Sequence, residues 1–293
     1  MQQVAFVTYS GLPALSAPDR LAADALADAG VTVTPASWDD ESVDWTAFDA
    51  VVVRSTWDYW TRADEFGAWI DARGLDGTAL WNPAPLLRWN MDKAYLLDLE
   101  AAGIPIVPTA WARRGQPLAA ILAERGWDRA VVKPCVSGSG AGTWVVRGAP
   151  TAAQEQALAR TIAAGGAMVQ PFIAQVVDPG EWSLVFLGGR FSHAVVKRPA
   201  RGEFRVQIEH GGSADAALPP PHLVEAAERV LACVEHPWLY ARVDGCEVDG
   251  RFLLMELEML EPSLFLDRHP TAAHRFAAAI RTAIGSETGV LSR

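Results

Sequence analysis

The sequence predicts an α/β protein with two differently wired regions: a parallel α/β region over the first hundred residues, then antiparallel hairpins beyond Pro105. Three observations carry this. Short apolar, β-prone runs alternate with helical stretches up to Gly103, the pattern of a parallel sheet with crossover helices. A glycine loop, Ser137 to Gly142, stands between two β-prone segments and so does not open a helix. The dipeptides Gly188-Gly189 and Asp249-Gly250 each join two long β-prone runs, as hairpin turns do.

In chain order, Val4 to Thr8 form a first apolar strand. Ser16 and Asp19 then resemble a capping box for a helix through Ala29, stopped by Gly30. Val31 to Val33 and Asp49 to Val53 are further strands. The latter delivers Arg54-Ser55-Thr56-Trp57-Asp58-Tyr59 at its carboxyl end, where open parallel sheets bind ligands. Arg54 either grips a ligand carboxylate or phosphate in its guanidinium fork, or pairs with Asp58 to steady a loop. The ligand role is favoured for Arg54. For Asp58, whose other option is to hold an amine, the loop role is favoured. Residues 61–73 form an amphipathic helix burying Phe66, Trp69 and Ile70. After Asn82-Pro83, a helix opens at Asn90-Met91-Asp92-Lys93 and runs to Gly103. Lys93 in a first turn opposes the helix dipole unless an anion is bound there, or is simply solvated.

Ile106 to Trp111 is the next strand and Leu118 to Arg125 a helix. Ala130 to Val132 then form a buried strand that delivers Lys133, is stopped by Pro134, and turns through Ser137, Gly138, Ser139 and Gly140 into Thr143-Trp144-Val145-Val146. Such a loop is either an ordinary surface hairpin or a flap that turns backbone N–H groups onto an anion. A helix over Thr151–Ala163, a strand at Met168–Gln170 and the stretch Pro171-Phe172-Ile173 complete a small lid-like unit. Strands follow at Glu181–Leu187, Arg190–Lys197, Glu203–Glu209, Trp238–Val248 and Arg251–Glu258, with helices at Leu223–Glu235 and Thr271–Ile284.

Composition bounds the function. A chain of 293 residues, half of them hydrophobic and a fifth charged, buries a sizeable core. No apolar run reaches membrane-span length and no secretory pattern opens the chain, so a cytoplasmic location and no membrane partner are expected. The net charge of −10, from 35 acids against 25 bases, speaks against nucleic acid. Three scattered cysteines suggest no disulfide framework, and the histidines no zinc site. Cys135 beside Lys133 is read as a small residue filling a strand end in preference to a nucleophile.

Acids gather near the end. In Glu256-Leu257-Glu258 the strand period puts both carboxylates on one face, with Met255, Leu257 and Met259 turned into a core. Asp244 lies across the Asp249-Gly250 turn from them. Three carboxylates on one face call for a hard cation such as magnesium, or else for pairing with Arg242 and Arg251. The metal reading is preferred.

Taken in order, Lys93, Lys133-Pro134 with its glycine hairpin, Gln170-Pro171-Phe172-Ile173, Lys197, Arg205, Arg242-x-Asp244 and Glu256-x-Glu258 resemble the ATP-grasp superfamily over about residues 85–265. Arg54 to Asp58 and Glu261-Pro262-Ser263-Leu264-Phe265 resemble more particularly the branch containing the cycloserine-pathway cyclase, itself similar to glutathione-synthetase and RimK-type ligases. The resemblance implies an α+β ATP-grasp fold: an N-terminal α/β domain (1–113), a lid subdomain (114–172) and a catalytic subdomain (173–293). It implies ATP and magnesium, as two ions, as cofactors. Lys93, Lys133 and Lys197 would meet phosphates and residues 137–142 would close over them. Gln170 to Ile173 would border adenine, and Asp178 or Glu181 would bind ribose. Arg205 and Arg242 would meet the transferred phosphoryl group or the substrate carboxylate, and Asp244, Glu256 and Glu258 would hold the metal. Arg54, Asp58, Arg205 and Ser263 are the candidate substrate contacts. Glu258 departs from the asparagine, and Gln170 from the glutamate, that the family often carries.

The implied chemistry is carboxylate activation through an acyl phosphate, then attack by nitrogen. Three readings compete: intramolecular cyclisation of an O-ureidoserine-like amino acid, an intermolecular amide ligase, and a nucleotide-binding protein without catalysis. The retained lysines and acids speak against the last. Whether the chain forms a homo-oligomer stays open at this level.

Overall fold

A computed structural model describes residues 2–285. The N-terminal sheet has the order β2-β1-β3-β4, all parallel: β1 (Gln2–Thr8), β2 (Val31–Ser37), β3 (Ala50–Val53) and β4 (Leu80–Trp81). Helices α1 (Ala17–Asp28) and α2 (Ala63–Leu75) lie on opposite faces. Val4 to Val7 are fully buried because both faces of the sheet are covered. Val4 and Phe6 face the α1 side, Ala5 and Val7 the α2 side, as the strand period requires. Ser16 caps α1, its hydroxyl accepting from the Asp19 N–H.

The helix expected from Asn90 to Gly103 is shorter, α4 (Tyr95–Ala101), and a break separates it from an additional short helix, α3 (Ala84–Asn90). The break has a physical cause. Asn90 does not cap a helix; its side chain pairs with strand backbone, donating to the Leu257 carbonyl (2.7 Å) and accepting from the Met259 N–H (2.7 Å). Asp92 caps the following turn through the Ala94 N–H. Lys93 therefore sits in the turn between α3 and α4.

The lid sheet is antiparallel, ordered β5-β8-β6-β7, with β5 (Ala110–Ala112), β6 (Arg129–Pro134), β7 (Trp144–Arg147) and β8 (Ala167–Pro171). Helices α5 (Leu118–Arg125) and α6 (Ala152–Gly165) cover one side of it, α6 starting at a Thr151–Gln154 capping box. The glycine loop joins β6 to β7 as a hairpin, as the β-prone flanks predict. The strand expected over Ile106–Trp111 is shorter. Pro108 lacks an N–H, so residues 105–107 instead bond to Leu254 before the chain crosses to the lid sheet.

The third sheet is ordered β11-β10-β9-β12-β13: β9 (Glu181–Leu187), β10 (Arg190–Arg198), β11 (Ser213–Ala217), β12 (Tyr240–Val248) and β13 (Arg251–Glu258). The strand expected at Glu203–Glu209 is absent, and the edge is filled by β11 instead. Glu203 accepts from the Phe204 and Arg205 N–H groups, which holds this stretch as an irregular loop. Asp249 and Gly250, with φ of 51° and 73°, make the predicted two-residue turn between β12 and β13. Helix α7 (Pro221–Leu231) packs on one face. Helix α8 (Ala272–Gly285) shares a core with β1, β3, α1 and this sheet, which joins the N-terminal region to the C-terminal one. No helix among the described residues is long and apolar enough to cross a membrane.

Candidate active site

The lid sheet and the five-stranded sheet, with Trp57 and Tyr59 from the loop after β3, enclose a cavity of about 380 Å³. One end is closed by the glycine hairpin. Lys133 reaches it from β6, and the Lys93 ammonium donates to the Ser137 carbonyl (2.9 Å) and hydroxyl (3.3 Å), fastening the root of the loop. Further along, Ser139 and Gly140 take positive φ, and a Cβ at Gly138 would lie 2.9 Å from the Trp60 indole. His210 Nε2 faces the Ser139 carbonyl at 3.2 Å. The loop is thus seated between the N-terminal region and the irregular segment after β10. Arg205 lines the cavity there, ion-paired to Glu203 at 2.8 Å.

Gln170, Pro171, Phe172 and Ile173 line the same end, with the Gln170 amide donating to Thr109 (3.0 Å). Ile173, Val176, Val206 and Met255 supply an apolar wall. Met255 was expected in the core. The register of β12 and β13 shifts between Asp244 and Gly245, so Met255 is the extra residue of a β-bulge and turns to the cavity side. Of the two residues proposed for ribose, Glu181 lines the cavity while Asp178 is exposed outside it. The Cys135 thiol is buried and pushed up to about 11, which makes it a packing residue and not a nucleophile.

Beneath the cavity lies an ionic centre. Asp244 is 2% exposed and accepts from Ser183 (2.7 Å), Lys197 (2.9 Å) and Arg242 (2.9–3.1 Å). Burial favours its neutral form, but Arg242, Lys197 and Ser183 outweigh burial and hold the carboxyl well below its usual range. Lys197 also meets Glu181 at 2.6 Å, and Arg242 meets Glu258 at 2.5 Å. The expected face of three acids is confirmed in register, since Asp244 pairs with Glu256 and Arg242 with Glu258. The expectation that all three acids open onto one metal site is corrected. Glu256 and Glu258 line the cavity, whereas Asp244 does not, because both its oxygens are taken by cations. Among the described residues no three acid, His or Cys side chains converge as a metal group. Burial opposes ionisation of Glu256 too, yet Lys93 and Lys133, the latter 3.8 Å away, hold it below its usual value. Burial pushes Glu258 up to about 7 against the pull of Arg242, with Asp244 and Glu256 adding to the rise.

The other end of the cavity is bounded by the segment after β13. Four successive carbonyls are each held by a different side chain. Trp57 donates to Glu261 (3.4 Å), Arg54 to Pro262 (3.1 Å) and Arg242 to Ser263 (3.0 Å), while His193 Nε2 faces Leu264 (2.9 Å). Burial pushes His193 down to about 4, so it stays a neutral member of this set. Ser263 lines the cavity. Arg54 does not line it, contrary to expectation. It is 2% exposed, ion-paired to Asp19 (2.9 Å) and packed over Tyr240 and Phe276, a buried brace behind the wall. Asp58 is not its partner. It accepts from Trp38 (3.0 Å) and Arg62 (2.7 Å) away from the cavity.

Known proteins share the fold. Residues 4–82 match the family described as D-cycloserine synthetase DcsG, N-terminal domain. The chain is 36% identical over 271 residues to the cycloserine biosynthesis protein DcsG of Streptomyces lavendulae, covering 86% of this chain and 88% of that protein. The chain belongs to the DcsG family. The crystal structure of D-cycloserine synthetase DcsG superposes with a TM-score of 0.86 at 30% identity, covering 96% of this chain and 99% of that one. A RimK-domain ATP-grasp protein of Sphaerobacter thermophilus follows at 0.70 and 20% identity, covering 95% and 99%, a likeness of fold. The fold is that of ATP-grasp ligases and the chain is an enzyme of the ligase class, so the reading as a nucleotide-binding protein without catalysis falls away.

Several residues of this DcsG-family site escape sequence reasoning. Asp19 reads as a helix-capping residue, and only tertiary contact makes it the partner of Arg54. Asn90 and Tyr95 hold the outer edge of β13, Tyr95 through its hydroxyl and the Leu257 N–H (2.9 Å), with no local signal. Glu261 lines the cavity; its one signal was its place in the Glu261-Pro262-Ser263 motif.

Proposed function

We propose that this ligase activates the carboxylate of a small amino acid with ATP and magnesium and then closes a carbon–nitrogen bond within the same molecule. The substrate is O-ureidoserine-like and the reaction belongs to a cycloserine-type biosynthesis. One observation carries the reading: Lys93, Lys133, Lys197, Arg242, Glu256 and Glu258 meet at one cavity although they come from two sheets and a turn. The kinship to DcsG supports the substrate class.

ATP would lie with its base between the Gln170–Ile173 stretch and the apolar wall of Val206 and Met255, and its ribose near Glu181. Its phosphates would lie under the glycine loop, against Lys93, Lys133 and Lys197. The donor set fits magnesium, since Glu256 and Glu258 present hard carboxylate oxygens on the phosphate side. When bound there, the metal neutralises phosphate charge. The substrate carboxylate oxygen attacks the γ-phosphorus as the bond to the bridging oxygen breaks and ADP leaves. The ureido nitrogen then attacks the acyl carbon, phosphate departs, and the nitrogen loses its proton to water. Arg242, held by Asp244, Glu258 and the Ser263 carbonyl, would set its positive charge beside the anionic oxygens of both steps without reorganising.

The test is ADP release across a panel of amino acids that includes O-ureidoserine, with and without amine acceptors. Release with O-ureidoserine alone supports cyclisation; release only with an added amine supports the intermolecular ligase.

A further inference from the structure

The substrate end of the cavity carries one carboxyl without an ion-pair partner among the described residues. Arg242 spends its guanidinium on Asp244, Glu258 and the Ser263 carbonyl, and Arg54 is committed to Asp19 and Pro262 behind the wall. Glu258 has Arg242. The Glu261 carboxyl lines this end with no ion pair or side-chain hydrogen bond among the described residues. It is not a mobile surface acid. Its own carbonyl and the next three are each pinned by a separate side chain: Trp57 and Arg54 from the loop after β3, Arg242 from β12 and His193 from β10. Trp57 and Tyr59, which carry no stacked cation among the described residues, line the same cavity, while the Phe265 ring is already taken by Arg242 at 5.5 Å.

A preorganised carboxyl facing aromatic rings, in a chamber whose arginines are already paired, is complementary to a small cation. Resting on the reading above, in which the substrate carboxylate is spent on phosphorylation, the one fixed charge left on an amino acid is its ammonium group. We propose that Glu261 receives the substrate's α-ammonium group, with the Trp57 and Tyr59 rings beside it, and so sets the enzyme's selectivity for amino acids over the corresponding des-amino acids. Arg54 acts behind it as a positioning residue.

The experiment compares the full-length wild type with Glu261→Gln, which is close to isosteric, by calorimetric binding of O-ureidoserine and of its des-amino analogue. Wild type is expected to prefer the ammonium-bearing ligand by roughly tenfold to a hundredfold, the range for one hydrogen bond to a charged group. In Glu261→Gln that preference should collapse towards unity while ATP affinity holds. A purely structural role would weaken both ligands alike and keep their ratio, and that result overturns the proposal. So does a variant with lowered kcat and unchanged discrimination, which would make Glu261 a proton acceptor instead. Absence of ADP release from wild type with O-ureidoserine would refute the cyclisation reading separately, because the binding ratio is measured without turnover.

Discussion

Replacing Asp244 by asparagine separates two roles for one acid. As an open metal ligand, Asp244 would matter only when metal and nucleotide bind. As a buried counter-ion, it would matter to the fold itself. The structure supports the second: the carboxylate is 2% exposed and takes hydrogen bonds from Ser183, Lys197 and Arg242. Removing one member of such a buried set leaves cations short of charge and costs about 3–5 kcal/mol. Glu181 and Glu258 still answer Lys197 and Arg242, so the low end, about 3 kcal/mol, is expected. At roughly 2–4 °C per kcal/mol for a chain of this order, the melting temperature should fall by about 6–12 °C. The assay is thermal and urea unfolding in chelator-treated buffer without nucleotide. Glu256→Gln is the control. Glu256 is 26% exposed with its lysine at 3.8 Å, so its loss should cost less than about 1 kcal/mol while abolishing magnesium-dependent turnover. Wild-type stability of Asp244→Asn in the absence of metal would refute the reasoning.

Lys133→Ala should weaken ATP binding by about 1.5–3 kcal/mol, the range for hydrogen bonds to charged groups, and isothermal titration checks it. Arg54→Lys cannot keep both Asp19 and the Pro262 carbonyl. About 1–3 kcal/mol of stability should be lost and the KM for the amino acid should rise with ATP affinity unchanged, read from melts and steady-state kinetics. Asn90→Ala strands a buried carbonyl and a buried N–H on β13, so a loss of about 2–4 kcal/mol is expected in denaturant titration. The pH dependence follows from Glu261, which burial, with Glu258 adding, pushes up to about 8. A carboxyl raised in the fold stabilises it while protonated: the contribution is full below the unfolded value of about 4.3 and is lost as pH rises through the folded value near 8. Ligand-free wild type should therefore lose melting temperature relative to Glu261→Gln between those limits. Parallel curves for the two proteins across that window would count against it.

The sequence by itself determined most element types, though not the irregular loop at residues 203–209, together with the glycine hairpin, the Asp249-Gly250 turn and the one-face pairing of Glu256 and Glu258, because each rests on short-range backbone chemistry. Strand period, β-propensity and turn residues act over a few positions and are written locally. The ordered motifs likewise disclosed the ATP-grasp fold, since the residues that carry them sit at strand ends and hairpins with recognisable neighbours. Only the tertiary structure decided what those side chains do. A one-residue bulge, invisible in the period-two pattern, turned Met255 from core to cavity. A side-chain amide from Asn90 took over the edge of β13, so the helix expected to open at Asn90 starts only at Tyr95 and leaves Lys93 in the turn before it. Asp244 looked like a metal ligand and Arg54 like a substrate clamp because chain order shows charge but not burial. Each found its counter-charge far away in sequence, Asp244 in Lys197 on β10 as well as Arg242 close by, and Arg54 in Asp19 on α1. Buried charge must be neutralised where it lies, and which partner meets it is fixed by how distant strands and helices pack together.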